Sequence, residues 1–397
     1  MKMNHRKYLI VALIATFFVY TGISGVLATV PVQTTKEQSV QVYHSFHPGS
    51  IWNDTNGKVI NAHGGGILYY KGTYYWFGEH KVAGPIGNTA QVGVHCYASK
   101  DLYNWKDEGI ALHVSDDPHS DITKGCVLER PKVIYNKKTH KFVMWFHLEL
   151  KGEGYSAARA GVAVSDRPEG PYTFLRSMRP NAGIWPLNFK KSWETSTLQP
   201  DSLKGWTPAW MKAVEEGLFV RRDFKAGQMF RDMTAFVDTD GKAYLIYSSE
   251  ENLTLQIAQL NDNYTGFSGK YVRVFPGGHN EGPAIFKDNG KYYMITSGCT
   301  GWAPNSARSG VATSIFGQWK ALGNPCVGND SDLTFHSQST YILPVHGMKN
   351  AFIFMSDRWN PRNPIDGRYI WLPIKMSKEK PIIKWRKSWN LNDFTNR

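Results

Sequence analysis

The sequence predicts an all-β protein, a five-bladed β-propeller with four-stranded blades, and two observations lead to this fold. One hairpin pattern recurs five times along the chain, and a second strand pair follows each copy. Four strands in a repeat of roughly 50 residues are typical of a propeller blade, since radial repetition leaves only short, protected strand edges. A β-sandwich is the alternative, but its strands would not recur in groups of four behind one shared opening hairpin.

Each repeat opens with a short apolar strand, a turn and an aromatic-rich strand. β-Branched and aromatic residues surround turns built on Lys-Gly, Asn-Lys-Lys, Asp-Gly, Asn-Gly or His-Gly, which is typical of hairpins. The five copies are GILYYKGTYYWFGEH, KVIYNKKTHKFVMWFH, AFVDTDGKAYLIYSSEE, AIFKDNGKYYMITSG and YILPVHGMKNAFIFMSD. The second pairs are VGVHCYASKDLYNWKDEG, AGVAVSDRPEGPYTFLRS, LTLQIAQLNDNYTGFSG, SGVATSIFGQWKAL and RYIWLPIKMSKEKPIIKW.

The longest departure from the repeat is an insertion over residues 184–231, between blades two and three. After Thr207-Pro208, a favourable helix start, apolar residues recur at roughly helical spacing. They are Trp206, Trp210, Met211, Val214 and Leu218. We therefore predict a short helical insertion that either shapes a binding cleft or fills a gap between blades.

The first 28 residues have the features of a secretory signal peptide. Lys2, Arg6 and Lys7 precede an apolar run, and small residues lead to a cleavage site after Ala28. The run is shorter than the ~20 residues of a membrane-spanning helix. We expect a secreted or periplasmic protein without membrane insertion, in which residues 29–397 form a single catalytic domain.

Charge and cysteine content exclude several functions. The formal charge is +13 at pH 7, but the Lys and Arg residues are scattered and form no basic run, so we expect no nucleic-acid partner. An anionic polysaccharide or a merely basic surface accounts for this charge. The four cysteines form no CxxC pair, and the histidines are dispersed, so no metal site is predicted. One or two disulfides are compatible with export, and the sequence does not define the oligomeric state.

Five equivalent positions near the starts of the repeats are all polar, and we call them the polar ring. The repeats align on Ile67, Val133, Phe236, Ile285 and Ile342, and four residues earlier stand His63, Glu129, Asp232, Glu281 and Gln338. Because the first strand of each blade lines the central channel, these positions converge at one end of the axis. Three carboxyl groups there raise at least one pKa, as a general acid requires. The alternative is that these acids simply face water at the rim.

Aromatic residues lie close in sequence to the polar ring. They are Tyr75, Trp76, Trp145, Tyr155, Trp302 and Trp359. Flat apolar rings beside carboxylates hold the faces and the hydroxyl groups of sugars together, so the pattern indicates an oligo- or polysaccharide substrate. A single Trp more often packs in a core than binds a ligand. Trp302, which follows an inner hairpin, is the best stacking candidate.

Six motifs in order along the chain resemble glycoside hydrolase family 43, most closely its exo-β-1,3-galactanase branch. They are NAHGGGILYYKGTYYWFGEHK, VLERPKVIYN, FRDMTAFVDTDGKAYLIYSS, NEGPAIFKDNGKYYMITSGCTGWAPN, FHSQSTYILP and SDRWNP. The resemblance implies an inverting hydrolase that removes galactose from the non-reducing end of β-1,3-galactan, as in arabinogalactan. It implies no cofactor, although a structural cation in the propeller channel is compatible with the family.

The resemblance also implies roles in catalysis. Glu281 matches the family's general acid and Asp232 the residue that orients it, whereas His63 stands where the family has its Asp base. Inversion needs a base opposite the acid, at ~6.5–9.5 Å, to admit a water. In the galactanase branch a Gln has this role, and Gln338 matches it. Either Gln338 positions the water, or His63 or Glu79 accepts the proton.

Further residues match sugar contacts of the branch. Glu129, beside Arg130, corresponds to the residue that holds the hydroxyl groups of the terminal sugar, and Glu79, Tyr155 and Trp302 match other contacts. We include these five residues, together with His63, as substrate-binding candidates. Two alternatives stay open: an α-L-arabinofuranosidase or β-xylosidase of the same family, which would use the same propeller and acid, and a carbohydrate-binding propeller without catalysis, which the absent Asp base suggests.

Overall fold

The structure is a computed structural model that describes residues 41–395, and the predicted signal peptide lies outside this range. Within it, the strands form five sheets, each of which is one blade. Blade one contains β1 (His63–Tyr70), β2 (Thr73–His80), β3 (Gly93–Ser99) and β4 (Lys106–His113). Blade two contains β5 (Val127–Asn136), β6 (Lys141–Glu149), β7 (Arg159–Ser165) and β8 (Thr173–Met178).

The remaining blades follow the same order along the chain. Blade three contains β9 (Met233–Val237), β10 (Ala243–Ser249), β11 (Thr254–Leu260) and β12 (Phe267–Val274). Blade four contains β13 (Glu281–Asp288), β14 (Lys291–Ser297), β15 (Arg308–Ala312) and β16 (Lys320–Gly323). Blade five contains β17 (Cys326–Val327), β18 (Gln338–Pro344), β19 (Phe352–Arg358), β20 (Arg368–Ser377) and β21 (Lys380–Lys384).

The inner strands form a closed circle, which confirms the five-bladed propeller. β1 contacts β5, β5 contacts β9, β9 contacts β13, β13 contacts β18, and β18 returns to β1. Successive strands within each blade are antiparallel. The fifth sheet differs from the prediction of four strands, because the short strand β17 pairs in parallel with β21.

The first and last blades are joined by an aromatic cluster. Phe46 forms an isolated bridge with Trp389, and their rings stack at 4.4 Å. Trp76 of blade one meets Trp371 of blade five, with ring centroids 4.8 Å apart. Trp76 and Trp145 are 1% and 0% exposed, so these two aromatic residues belong to the core and are excluded as sugar platforms.

The insertion between blades two and three is helical, as predicted. It contains α1 (Lys191–Glu194), α2 (Pro208–Glu215) and α3 (Leu218–Arg222), and the Thr207 hydroxyl accepts a bond from the Trp210 amide at the start of α2. Since β8 ends and β9 begins at the end of the propeller that carries the polar ring, the insertion lies on that face.

Short 3-10 helices complete the described chain: Pro85–Asn88, Pro200–Ser202, Ser331–His336, Pro364–Asp366 and Leu391–Phe394. Among the residues described, no helix has the length and apolar character that crossing a bilayer requires. The thiols of Cys96, Cys126, Cys299 and Cys326 are all free.

Candidate active site

β-Bulges direct the polar ring. His63, Glu281 and Gln338 are the first residues of β1, β13 and β18, Asp232 immediately precedes β9, and Glu129 is the third residue of β5. In four inner strands the pairing register shifts within three residues of the ring position. Bulges bend a strand and re-aim its side chains. In β5, β13 and β18 the bulge accompanies a ring residue that faces one cavity, whereas Asp232 reaches it without a bulge.

Four of the five ring residues line this cavity, whose volume is about 260 Å³. Arg130, Glu79, Tyr155 and Trp302, which the sequence predicted as sugar contacts, line it as well. Its other lining residues are Lys81, Asn88, His147, Arg231, Asn252, Gly301 and Trp359. Of these, only Trp359 could be singled out from the sequence.

His63 is the exception, and its prediction as a substrate-binding residue and proton acceptor is wrong. It is 0% exposed, stacks on Tyr369 at 5.3 Å and lies 3.5 Å from Asp357. Its cross-strand partner Glu79 occupies the cavity instead. A Cβ atom at Gly64 would lie 2.2 Å from the Glu79 carboxylate, so glycine at that position admits Glu79.

Glu281 has the properties of a general acid. Its Oε1 accepts hydrogen bonds from Asn252 Nδ2 at 2.7 Å and from the Cys299 thiol at 2.9 Å. Burial, followed by the negative charge of Asp232, raises the pKa of Glu281 to about 7. A carboxyl group with this pKa is protonated in a large fraction of molecules near neutral pH, as proton donation requires.

Arg130 connects three blades through its guanidinium. Its Nε lies 2.7 Å from Asp232 Oδ1, its Nη2 donates to Gln338 Oε1 at 2.6 Å, and its Nη1 donates to the Ser339 carbonyl at 3.0 Å. The other oxygen of Asp232 accepts the Gly282 amide at 3.0 Å. Arg130 is only 4% exposed, so it mainly positions its neighbours, with a small surface left for a sugar.

Gln338 is held on both ends of its amide. Oε1 accepts from Arg130 and from Trp359 Nε1 at 2.9 Å, and Nε2 donates to the Ser297 hydroxyl at 2.9 Å. With Oε1 taking two bonds, the remaining free hydrogen-bonding capacity of the amide is an N–H donor. In this arrangement Gln338 can hold the oxygen of a water molecule, whereas proton acceptance would need a different state of the amide.

Glu129 belongs to a buried charged network. The His147 ring bridges Glu129 at 3.1 Å and Glu149 at 2.8 Å, and the Tyr155 hydroxyl donates to Glu129 at 2.7 Å. Burial alone would raise the pKa of Glu129, but the bond and charge of His147 lower it to about 2. Burial alone would lower the pKa of His147, but the two carboxylates raise it to about 9. Glu129 is therefore an ionised acceptor at neutral pH.

Glu79 is paired with a lysine beside this network. Lys81 Nζ lies 2.5 Å from its Oε2, and the Arg130 amide donates to its Oε1 at 2.9 Å. Burial raises the pKa of Glu79 even though the ammonium group of Lys81 opposes this. The pair gives the cavity a cation and a carboxylate close to Glu129.

One group of described side chains has the spacing of metal ligands. Glu129, His147 and Asp232 each offer an atom within 4.8 Å of the others. However, both nitrogens of His147 are bonded to carboxylates and its pKa is raised, so the ring is a cation rather than a neutral ligand. Asp232 is neutralised by Arg130. These residues fit a charged hydrogen-bond network better than a metal site.

Two tryptophans form an apolar wall of the cavity. Trp302 and Trp359 meet edge to face, with ring centroids 6.0 Å apart. Trp302 is 42% exposed, so much of its surface is free for a ligand. The sequence prediction of Trp302 as a stacking residue is thus consistent with its position.

The residues that the sequence analysis missed lie on second strands and loops. His147 and Glu149 alternate in the apolar strand FVMWFHLE, and two polar residues spaced by two in a buried strand were a usable signal. Asn252 follows β10 in a loop and lacks any such pattern. Lys81 and Arg231 also occur singly in loops, and Asn88 is the last residue of a 3-10 helix.

Sequence profiles and curated relatives relate the chain to known enzymes. The profile described as "Glycosyl hydrolases family 43" matches residues 209–342. A β-D-galactofuranosidase of Aspergillus niger is 32% identical over 75 residues, which are 19% of this chain and 21% of that protein. The chain thus matches only about a fifth of this curated relative's length.

Solved structures give longer matches. A GH43 β-1,3-galactosidase solved with galactodeoxynojirimycin is 59% identical, with 87% of this chain and 100% of that chain covered and a TM-score of 0.85. An exo-β-1,3-galactanase from Phanerochaete chrysosporium, solved as a variant with β-1,3-galactotriose, is 32% identical, with coverages of 88% and 68% and a TM-score of 0.70. An exo-β-1,3-galactanase from Clostridium thermocellum is 34% identical, with coverages of 87% and 66% and a TM-score of 0.69.

Proposed function

The chain belongs to glycoside hydrolase family 43, and we propose that it is an inverting exo-hydrolase that releases galactose from the non-reducing end of β-1,3-galactan. One observation carries the proposal: a half-buried carboxyl group, Glu281, has a pKa raised to about 7 inside a sugar-sized cavity that also holds the amide of Gln338. The galactanases and the galactosidase that resemble the chain over most of its length support the choice of sugar and linkage.

The size of the cavity supports exo action. Its volume of about 260 Å³ lies below the ~300–1,000 Å³ of sites that enclose drug-sized ligands. Below it, the buried Lys132 donates to the carbonyl oxygens of Gly64 and Arg130 between the inner strands. A pocket of this kind accommodates one terminal sugar, and the rest of the chain extends past the wall formed by Trp302 and Trp359.

In the proposed reaction, Glu281 donates its proton to the glycosidic oxygen as the bond to the sugar breaks. Asp232 is paired with Arg130, and its negative charge helps to raise the pKa of Glu281, so that Glu281 holds its proton before the reaction. A water molecule attacks the opposite face of the sugar, with its oxygen held by the Gln338 amide. The proton of this water passes either to Glu79 or to the nitrogen of Gln338, if the Gln338 amide is in its imidic acid tautomer.

Recognition of the terminal sugar falls to the charged network and the aromatic wall. Glu129 is ionised and accepts hydrogen bonds from hydroxyl groups, and Tyr155 supplies a hydroxyl next to it. The exposed part of Trp302 packs against an apolar sugar face. This division of roles leaves the reacting atoms to Glu281 and Gln338.

The test is hydrolysis of β-1,3-galactobiose and longer β-1,3-galactan, followed by NMR of the released sugar. We expect galactose alone as the product, first as the α-anomer, because inversion of a β-linkage gives α. Glu281→Gln should abolish hydrolysis and retain galactose binding. Release of the β-anomer first, cleavage of nitrophenyl α-L-arabinofuranoside only, or wild-type activity of Glu281→Gln would each contradict the proposal.

A carbohydrate-binding propeller without catalysis is the second candidate, because the family's Asp base is replaced by the buried His63. It predicts galactan binding without turnover, and the same assay separates the two functions.

We also propose that the protein is exported and that residues 1–28 are removed. The basic and apolar pattern of that segment supports this proposal. N-terminal sequencing of the protein from the periplasm or medium should begin at residue 29, and a cytoplasmic protein that retains Met1 would refute it.

A further inference from the structure

Two donors from different blades hold one oxygen of Glu281. Asn252 follows β10 of blade three and Cys299 follows β14 of blade four, and both donate to Oε1, at 2.7 Å and 2.9 Å. A neutral carboxylic acid has one hydroxyl oxygen and one carbonyl oxygen. Because Oε1 accepts two bonds, it is the carbonyl oxygen, and the proton lies on Oε2.

Asn252 reaches Glu281 from a turn with an unfavourable backbone conformation. Glu250, Glu251 and Asn252 have φ angles of 52°, 57° and 62°. Residues with a Cβ atom enter this left-handed region at a cost, and normally as single residues rather than as three in a row. Such a turn persists only where surrounding contacts enforce it, and it is a feature of functional sites.

Arginines provide these contacts and link the turn to the helical insertion. Glu250 is fully buried and accepts Arg273 Nε and Nη2, each at 2.7 Å. Arg273 also donates to the carbonyl oxygens of Val214 and Glu215 at the end of α2, both at 2.7 Å.

The next residue of the turn is tied to the insertion in the same way. Glu251 accepts Arg222 of α3 at 2.7 Å and Arg231 at 3.3 Å. The insertion is therefore joined by charged bonds to the turn that carries Asn252.

We propose that Asn252 and Cys299 are positioning residues that fix Glu281 so that Oε2 presents the proton, and that the insertion serves to hold the 250–252 turn in place. This rests on the proposed function in that Glu281 is the acid. It also gives the insertion a role beyond filling a gap between blades.

Removal of either donor should shift the pH dependence of hydrolysis. Hydrogen bonds to a carboxylate favour its charged form, and the Cys299 bond lowers the pKa of Glu281 against the larger effect of burial. The charged groups that face Glu281 are Asp232 before β9 and Arg130 and Glu129 of β5, and they stay in place in the variants. Only the donors change.

The first experiment measures kcat/KM for β-1,3-galactobiose against pH. In Asn252→Ala and Cys299→Ala we expect the alkaline limb to move upward by about half to one pH unit, the equivalent of one lost hydrogen bond. Cys299→Ser keeps a donor and should stay close to wild type. Asn289→Ala is the matched control, since this exposed Asn is also left-handed, with a φ of 47°, but lies at the opposite end of β13. An unchanged limb in both alanine variants overturns the proposal.

The second experiment needs no turnover. Burial, followed by the bond to Glu281, raises the pKa of Cys299 to about 12. Glu281→Gln removes the negative charge beside Cys299, so the pKa of Cys299 should fall. Alkylation of Cys299 by iodoacetamide at pH 9, mapped by mass spectrometry, should then accelerate about tenfold for each unit by which that pKa falls. The buried Cys96, Cys126 and Cys326 should react as in wild type. If the wild-type protein does not cleave galactan but Cys299 of Glu281→Gln reacts faster, the contact holds and the proposed function fails. If Cys299 of Glu281→Gln reacts as in wild type, the inference fails.

Discussion

Replacement of Arg130 by lysine tests whether the shape of the guanidinium, and not only its charge, organises the site. Arg130 bonds Asp232 at 2.7 Å and Gln338 at 2.6 Å through different nitrogens. A lysine keeps the positive charge but concentrates it on one nitrogen. That nitrogen cannot occupy both positions, so either Asp232 or Gln338 loses its bond to the side chain at position 130.

The expected loss follows from these contacts. A hydrogen bond to a charged group contributes about 1.5–3 kcal/mol, and Arg130 is buried, so water does not replace the lost bond. At about 1.36 kcal/mol for each factor of ten, kcat/KM should fall by roughly 10- to 150-fold. The backbone strain at residue 130 is the same for both side chains, since both have a Cβ atom.

The assay is kcat/KM for β-1,3-galactobiose, together with thermal unfolding to detect a loss of folding. Arg130→Gly is the complementary variant. Glycine at position 130 relieves the strain of the left-handed backbone, which has a φ of 55°. It also removes the positive charge, so Arg130→Gly should be less active than Arg130→Lys. If Arg130→Lys keeps kcat/KM within about threefold of wild type, the fork of the guanidinium is not needed and the reasoning is refuted.

Three other predictions concern the same cavity. Gln338→Ala removes the amide that we propose holds the attacking water, so it should lower kcat nearly as far as Glu281→Gln, with galactose binding retained in calorimetry. A change in KM alone would contradict this. Burial, followed by the charge of Asp232, raises the pKa of Glu281 to about 7. In the proposed reaction the protonated form of Glu281 is the active one, so kcat/KM should fall about tenfold per pH unit above pH 7. A profile that rises there would exclude Glu281 as the acid. Trp302→Ala should weaken galactose binding by about 1 kcal/mol, or roughly fivefold, with kcat retained; unchanged affinity would show that the ring does not stack on the sugar.

The propeller could be predicted because its determinants are local. Hairpin turns and alternating strands recur in the sequence, and the polar ring follows from a fixed offset to one apolar residue. The prediction that His63 lies in the cavity was wrong for a physical reason that the alignment of the five repeats does not show. Glycines after His63 and a bulge before Gly66 let Glu79 of the second strand enter the cavity in its place.

The contacts around Glu281 could not be predicted for a related reason. Asn252 and Cys299 follow strands of two different blades, and their convergence on Glu281 depends on backbone angles that the sequence does not display. Three consecutive left-handed residues without glycine contradict local propensity. Functional sites are where such local rules are expected to fail.

The position after the ring residue shows how a repeated fold produces an asymmetric site. Gly64, Arg130 and Gly282 are equivalent in blades one, two and four, with φ angles of 61°, 55° and 55°. Glycine adopts this conformation without a penalty, whereas Arg130 incurs roughly 1–2 kcal/mol. That strain is offset because the guanidinium makes charged bonds of about 1.5–3 kcal/mol each. A glycine at position 130 would match blades one and four but would leave Asp232 without its ion pair and Gln338 without its Arg130 bond, so this departure from the glycine is what joins Asp232 to Gln338 across the cavity.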